Sequence, residues 1–277
     1  MLANANTTLC GIIGKPVEHS MSPAIHNAAF DKLGLNYTYL AFNVDDVEGA
    51  IRGVRALHIR GLSVTMPHKL EVMKYLDEID PVARRIGAVN TVVNENGRLK
   101  GYNTDWVGFV RSLEAKTPIQ DKRITILGAG GAARAIAFGL KERGGKITIL
   151  NRAQEIKMAE SLAAELECSW GPLSQLESVT DADIVVNATL LGMPPHEQKI
   201  VIESSYLRSE QVVYDVVYNP LETRLLREAK ERGCQVVPGY EMLLLQGVAQ
   251  FELWTGKTAP VEVMRTILLN SLTGKET

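Results

Sequence analysis

The apolar run Ile124-Thr125-Ile126-Leu127 leads directly into Gly128-Ala129-Gly130-Gly131-Ala132-Ala133-Arg134. Small residues at such a turn let backbone N–H groups approach a pyrophosphate, and a helix that opens there adds the partial positive charge of its N-terminus. Glycine-rich turns also arise simply to pack a helix closely on a strand, so the loop takes its meaning from the residues after it. Ala132, Ala135, Ile136 and Leu140 lie at helical spacing, Gly144-Gly145 ends that helix, and Lys146-Ile147-Thr148-Ile149-Leu150 reads as a second buried strand. The unit is βαβ, and the chemistry is dinucleotide binding. About 20 residues past such a loop an acidic side chain would hold a ribose 2′-hydroxyl. Here the chain has Asn151-Arg152, and a guanidinium suits a 2′-phosphate instead. NADP is favoured over NAD, with a solvated arginine at a helix start as the plainer alternative.

Four further clusters hold polar residues at the ends of expected strands, where open α/β sheets build their sites. In Glu18-His19-Ser20-Met21-Ser22-Pro23, Pro23 suits the first turn of a helix and Ser22 its cap, which leaves Ser20 without a local role. Gly61-Leu62-Ser63-Val64-Thr65-Met66-Pro67-His68-Lys69 carries a buried strand into a turn with Thr65 and Lys69 near one mouth. A lysine there can stabilise a developing oxyanion and donate a proton, although exposed helix lysines are common. Asn90-Thr91 and Gly101-Tyr102-Asn103-Thr104-Asp105-Trp106 form the third cluster, in which the plainer reading of Asp105 is a helix cap with Trp106 and Phe109 packing beneath it. In the fourth, Tyr240-Glu241-Met242-Leu243-Leu244-Leu245-Gln246, the glutamine interrupts an apolar face. The five histidines share no metal-ligand spacing and no nucleophile elbow is present, so neither a metal nor a covalent intermediate is expected.

These clusters need elements to hold them. Residues 9–13, 37–42 and 59–64 read as strands and 24–33, 47–57 and 70–76 as helices, with a hairpin of 88–93 and 99–102 around Glu95-Asn96-Gly97. A helix after residue 101 ends near Pro118, the dinucleotide unit starts at Arg123, and strands at 184–187, 212–216 and 235–237 extend it to a doubly wound sheet of about six strands. Helices at 242–254 and 261–272 come too late for that sheet and are expected to return to the first domain. The fold class is α/β in two domains: a substrate domain of residues 1–106 plus 240–277, and a Rossmann-type domain of 107–239. With 277 residues, 45% hydrophobic content and a formal charge of −2, the chain shows no general attraction to nucleic acid or membrane. Cys10, Cys168 and Cys234 read as buried free thiols, and no signal or membrane segment is evident, so a cytoplasmic location is expected.

Several of these segments together resemble the shikimate dehydrogenase family: Ser20-Met21-Ser22-Pro23 with His26-Asn27, the Val64–Lys69 run, Gly87-Ala88-Val89-Asn90-Thr91 and Gly101-Tyr102-Asn103-Thr104-Asp105. The likeness continues through the glycine loop, Asn151-Arg152, Asn187-Ala188-Thr189, Tyr214-Asp215-Val216-Val217-Tyr218-Asn219-Pro220 and residues 239–246. It implies reversible, NADPH-dependent reduction of 3-dehydroshikimate to shikimate, in the route to chorismate and the aromatic amino acids. It also implies roles. Lys69 and Asp105 form the catalytic pair, Ser20, Ser22 and Tyr218 hold the substrate carboxylate, and Thr65, Asn90 and Gln246 hold the ring hydroxyls. Gly128, Ala129, Gly130, Gly131, Ala132, Asn151, Arg152, Ala188, Thr189, Val216 and Gly239 fall to the cofactor. Ala153 stands where the family often has threonine, and Leu190-Leu191 replaces a Pro-containing or Ser-rich loop. Quinate as substrate, NAD as cofactor, and a non-catalytic metabolite sensor remain the alternatives, and the expected state is monomer or homodimer.

Overall fold

Thr8–Gly14 forms strand β1, followed by helix α1 (Ser22–Lys32), strand β2 (Tyr37–Asn43), helix α2 (Val47–Ala56) and strand β3 (Gly61–Val64) in the computed structural model, which describes residues 3–274. β1 pairs in parallel with β2 on one side and β3 on the other. The short strand β4 (Glu78–Ile79), helix α3 (Pro81–Ile86) and the hairpin of β5 (Thr91–Glu95) and β6 (Arg98–Tyr102) complete a six-stranded mixed sheet of order β2-β1-β3-β5-β6-β4. Asn96 and Gly97 turn the hairpin with φ of 54° and 91°, the backbone for which an Asn-Gly pair is suited. The strand expected from residue 88 begins only at Thr91, because the Ala88 and Val89 N–H groups donate out of the ladder to Ala83 and Lys69. The helix expected at 70–76 is a single 3₁₀ stretch, Glu71–Tyr75, between that tether and the extended Leu76.

The second sheet is wholly parallel. Helix α4 (Asp105–Glu114) leads to β7 (Arg123–Leu127), α5 (Gly131–Glu142), β8 (Lys146–Asn151), α6 (Ile156–Leu166), β9 (Ser169–Pro172), α7 (Glu177–Asp181), β10 (Ile184–Asn187), β11 (Val212–Asp215), α8 (Arg224–Glu231) and β12 (Gln235–Val237). The order β12-β11-β10-β7-β8-β9 is that of a doubly wound dinucleotide fold, whose connections diverge to opposite faces between β7 and β10. Both faces are apolar: Ile124, Ile126, Ile184 and Val186 join one core, while Leu127 and Val185 join the other.

Two last helices, α9 (Gly239–Thr255) and α10 (Val261–Thr273), end the described chain. The chain forms two compact units, one running to Thr104 and resuming at Gln246, the other Asp105–Leu245. The expected bounds, 106/107 and 239/240, fall in the first turn of α4 and at the start of α9. Cys10 and Cys234 are buried, whereas Cys168, just before the edge strand β9, is half-buried, correcting the expectation of three buried thiols. Among the described residues no helix is long and apolar enough to cross a membrane.

In the first unit, Trp254 of α9 fills the core against Tyr39 and His26, ring centres 5.8 and 5.1 Å away, and its Nε1–H donates to the Val92 carbonyl at 3.0 Å. Burial pushes His26 down to about 3, so it serves there as a neutral aromatic ring. Gly61 makes room for the indole: a Cβ on it would lie 2.1 Å from Trp254 Nε1. Gly61→Ala is expected to lower the melting temperature by roughly 5 °C, the scale of an overpacked core. A thermal melt unchanged from the parent would contradict that fit.

Candidate active site

In the first unit the carboxyl end of β3 and the start of β5 bring together Thr65, Lys69 and Asn90. The Thr65 N–H donates to Ile13 O at 2.9 Å, that of Val89 to Lys69 O at 2.9 Å, and that of Val64 to Asn90 O at 2.8 Å. Thr65 and Lys69 are half-buried and Asn90 is buried. Gly14 must lack a side chain here, since a Cβ would meet the Thr65 methyl at 2.3 Å. Asn90 is held by its neighbours: Oδ1 accepts from the Thr104 N–H at 2.7 Å and the Thr91 hydroxyl at 2.8 Å, and Nδ2 donates to Thr104 Oγ1 at 3.0 Å.

The two serines exchange their expected parts. Met21, not Ser22, occupies the N-cap of α1, with no side-chain cap bond, because Pro23 in the first turn draws Ser22 inside the helix. Ser20 Oγ accepts from the Ser22 N–H at 3.2 Å, closing the turn before the helix, and Ser22 is buried beside the Tyr39 hydroxyl. Gln246, also buried, sits on α9 one turn before Gln250, which bonds Ser63, Thr91 and the Asn90 carbonyl.

In the second unit the glycine loop lies at the end of β7. Gly128 has φ of +105°, and a Cβ on it would press within 2.9 Å of the Thr189 methyl and 3.2 Å of Ala188 O, so the first glycine is demanded by the turn and by the neighbouring loop. At Gly130 and Gly131 an added Cβ would meet nothing within 4 Å. That open space lies before the first turn of α5, where N–H groups and helix dipole favour an anion, so the loop fits a pyrophosphate. Ala129 is buried and Ala132 half-buried beside this turn. Gly239 is needed for close approach, since a Cβ there would sit 2.4 Å from Val216 O. At the tip of β8, Asn151 Oδ1 accepts from the Arg152 N–H at 3.0 Å and its Nδ2 donates to Glu155 O at 2.9 Å. The exposed Arg152 guanidinium grips Glu155 through two hydrogen bonds of 2.8 and 2.6 Å. Asp105 is the buried first residue of α4, and Tyr218, after β11, is half-buried, its partial desolvation pushing the hydroxyl pKa up.

Family models match most of the chain: the shikimate dehydrogenase substrate binding domain over residues 12–92, shikimate / quinate 5-dehydrogenase over 112–218, and the shikimate 5'-dehydrogenase C-terminal domain over 239–269. A protein of Moorella thermoacetica named shikimate dehydrogenase (NADP(+)) is 49% identical over 97% of this chain and 95% of its own length. The chain belongs to the shikimate dehydrogenase family. A crystal structure of shikimate dehydrogenase in complex with NADP+ superposes with a TM-score of 0.94 at 44% identity, covering 98% of each chain. Shikimate 5-dehydrogenase from Listeria monocytogenes, in complex with shikimate and NAD, gives 0.92 at 42% identity over 97% of this chain and 98% of that one.

Membership does not by itself explain Gln250 or Glu155, neither of which stands out in the sequence. Gln250 had a signal, as a second polar residue one helical turn from Gln246 on an apolar helix, and Glu155 had the i,i+3 spacing from Arg152. Asp215, within a segment that carries the family resemblance, supports the loop that holds Val216: its Oδ1 accepts from Asn187 Nδ2 at 2.9 Å and the Val217 N–H at 3.0 Å, and its Oδ2 from the Thr223 hydroxyl at 2.6 Å. Burial pushes Asp215 up to about 6, and these donors restrain the rise. Between the ordinary carboxylate range and about 6 the folded chain therefore holds a proton that the unfolded chain has released, and stability falls as pH rises through that window. In Asp215→Asn that contribution is absent, so the difference in melting temperature between variant and parent should grow in the variant's favour as pH rises from about 4 to 6, by on the order of 5 °C. A difference constant with pH would refute it.

Proposed function

We propose that the chain is an NADP-dependent shikimate dehydrogenase, interconverting shikimate and 3-dehydroshikimate in the route to chorismate and the aromatic amino acids. What carries the reading is the occurrence, in one chain of this family, of the open glycine loop at the switch point of its parallel sheet together with Lys69 and Asp105. NADP supplies or accepts the hydride. Negative charge builds on the ketone oxygen as it is reduced, and Lys69 stabilises that charge and donates the proton, the reverse direction returning it. Asp105 orients Lys69 and accepts from a hydroxyl. Ser20, Ser22 and Tyr218 hold the carboxylate, while Thr65, Asn90 and Gln246 hold the ring hydroxyls. For the cofactor, the Gly128–Ala132 stretch takes the pyrophosphate, Asn151 and Arg152 the 2′-phosphate end, and Ala188, Thr189, Val216 and Gly239 the remainder. On this reading residues up to about 104 with the terminal helices form the substrate domain, and the parallel sheet forms the cofactor domain. Three free cysteines suit a reducing, cytoplasmic setting, and as every role falls to one chain, a monomer or a homodimer serves equally.

One observation favours a second cofactor. Arg152 is already engaged by Glu155, and Ala153 offers no hydroxyl, so a 2′-phosphate must displace a carboxylate whereas NAD need not. NADPH formation from shikimate and NADP+, read spectrophotometrically, tests the activity, with NAD+ and quinate as parallel arms. No turnover of shikimate with either cofactor would reject it. Lys69→Ala should lower kcat by roughly a hundredfold or more while the shikimate dissociation constant moves little. Turnover near the parent's would remove Lys69 from the chemistry. Arg152→Ala should raise the KM for NADP+ about tenfold and leave that for NAD+ unchanged, and an equal shift in both would remove the 2′-phosphate role.

A further inference from the structure

At the carboxyl ends of β10 and β11 a cluster of polar groups lies beside the glycine loop, with Asn187 and Asp215 buried at its centre. The direction of every bond at Asn187 is fixed. The Thr189 N–H can only donate, so the atom of Asn187 that meets it at 3.0 Å is Oδ1, which also takes the Thr189 hydroxyl at 2.7 Å. The amide nitrogen then faces Asp215 Oδ1 at 2.9 Å and the Leu191 carbonyl at 3.2 Å, and gives one hydrogen to each. Asp215 Oδ1 has no proton to return, because it also accepts from the Val217 N–H at 3.0 Å. The Thr189 hydroxyl, its proton given to Asn187, accepts from the Leu191 N–H at 3.2 Å. Both lone pairs and both amide hydrogens of Asn187 are thus spent inside the protein.

We infer that Asn187, clasped to Asp215, is a positioning residue for the cofactor: it fixes the ends of β10 and β11 against each other and so sets the seat of the nicotinamide half, without touching the cofactor itself. The inference rests on the reading of Ala188, Thr189 and Val216 as cofactor residues. In a doubly wound sheet the dinucleotide lies across the carboxyl edge, and the tip of β8, with Arg152, takes the adenosine end, which leaves the other half to β10 and β11. The Asn187 carbonyl accepts from the Val216 N–H at 3.0 Å, and the Ala188 N–H donates to Leu127 O at 2.9 Å, so the clasp holds both strand ends and is tied to β7. Each of the two loops also abuts a glycine. A Cβ on Gly128 would lie 2.9 Å from the Thr189 methyl, and one on Gly239 would lie 2.4 Å from Val216 O. With backbone packed this closely, a small shift at Asn187 passes into both loops. The polarity of the clasp also separates two isosteric exchanges. An asparagine at 215 keeps Oδ1 as acceptor for Asn187 and Val217 and turns its amide toward the Thr223 hydroxyl, 2.6 Å away. A carboxylate at 187 instead sets an oxygen against Asp215 Oδ1 and the Leu191 carbonyl, two acceptors at once.

The test is steady-state kinetics on the whole chain at saturating shikimate, with adenosine 2′,5′-bisphosphate, which lacks the nicotinamide half, as a competitive inhibitor. Asn187→Asp and Asn187→Leu should each lose about tenfold in kcat/KM for NADP+, the scale of one hydrogen bond, while the inhibition constant of the bisphosphate stays within about twofold of the parent's. Asp215→Leu should lose as much, and Asp215→Asn should recover most of that loss. A rise in the inhibition constant to match the loss in kcat/KM would mean damage to the whole cofactor domain and overturn the proposal. Unaltered kinetics in the Asn187 variants, or equal losses in Asp215→Leu and Asp215→Asn, would overturn it as well. Asn187→Leu carries the test if two facing carboxylates prevent folding. A parent that turns over no shikimate with either cofactor overturns the functional reading itself, whereas an active parent with insensitive variants overturns only the positioning role.

Discussion

Strand ends that build a site must satisfy their own buried polar groups without filling the space a ligand needs, and both units of this chain are organised by that constraint. Unpaired buried amides and carbonyls cost on the order of 1–3 kcal/mol each, so they cannot be left open for a ligand that comes and goes. At the end of β7 the Gly128 N–H donates to Leu150 O at 2.7 Å, and at the end of β10 Asn187 Oδ1 takes the Thr189 N–H at 3.0 Å and the Thr189 hydroxyl at 2.7 Å. The loops close on themselves, and the groups that face outward at Gly130 and Gly131 remain open for an anion. At the end of β3 and the start of β5 the same work falls to side chains, with Asn90, Thr91, Thr104 and Gln250 closing a polar cluster inside an apolar unit.

Helix α9 links these solutions. Its first residue must be glycine, because the Val216 carbonyl lies against it, and its middle carries Gln250 to the floor of the Asn90 cluster. Its last turns bury Trp254 over Gly61, where Arg60 Nε donates to the Trp254 carbonyl at 2.8 Å. One continuous helix thus carries residues of both compact units and fixes the register at which Gln246 and Gln250 present themselves. A helix with apolar residues on most sides and polar ones at only a few positions has few places to slide, which makes the polar positions precise markers of register.

Local patterns in the sequence carry most of this architecture. The βαβ unit around Gly128, the Asn-Gly hairpin and the run of buried strands are legible because glycine, asparagine and continuous apolar stretches each have few structural meanings. Element ends are less legible: residues 88–90 are apolar or polar enough for a strand, but their N–H groups go to Ala83, Lys69 and Tyr102 in ways no local pattern announces. Ser22 reads as a cap because serine before Pro23 often is one, and only the helix geometry shows that Ser20 closes the turn. The expected site residues come chiefly from spacing along motifs, and the structure brings Thr65, Lys69 and Asn90 near one another through backbone bonds just beyond the ends of β3 and β5. Gln250 is missed because its partners Ser63 and Thr91 are more than a hundred residues away in sequence, and a polar residue in an apolar helix reads the same whether it is solvated or bonded.

The contrast between Arg152 and Asn90 follows from burial. Arg152 is exposed, so its bond to Glu155 competes with water and with any anion on nearly equal terms, and an exposed pair of this kind is a weak one. If Arg152 takes the 2′-phosphate as proposed, a phosphate with two charges and fixed oxygens can displace that carboxylate, and the pairing is a modest bias on cofactor choice. Asn90 is buried, and its carboxamide cannot turn without breaking bonds to a backbone N–H and a threonine hydroxyl at once. The exposed Arg152 can therefore exchange partners, while the orientation of the buried Asn90 is preset by the fold.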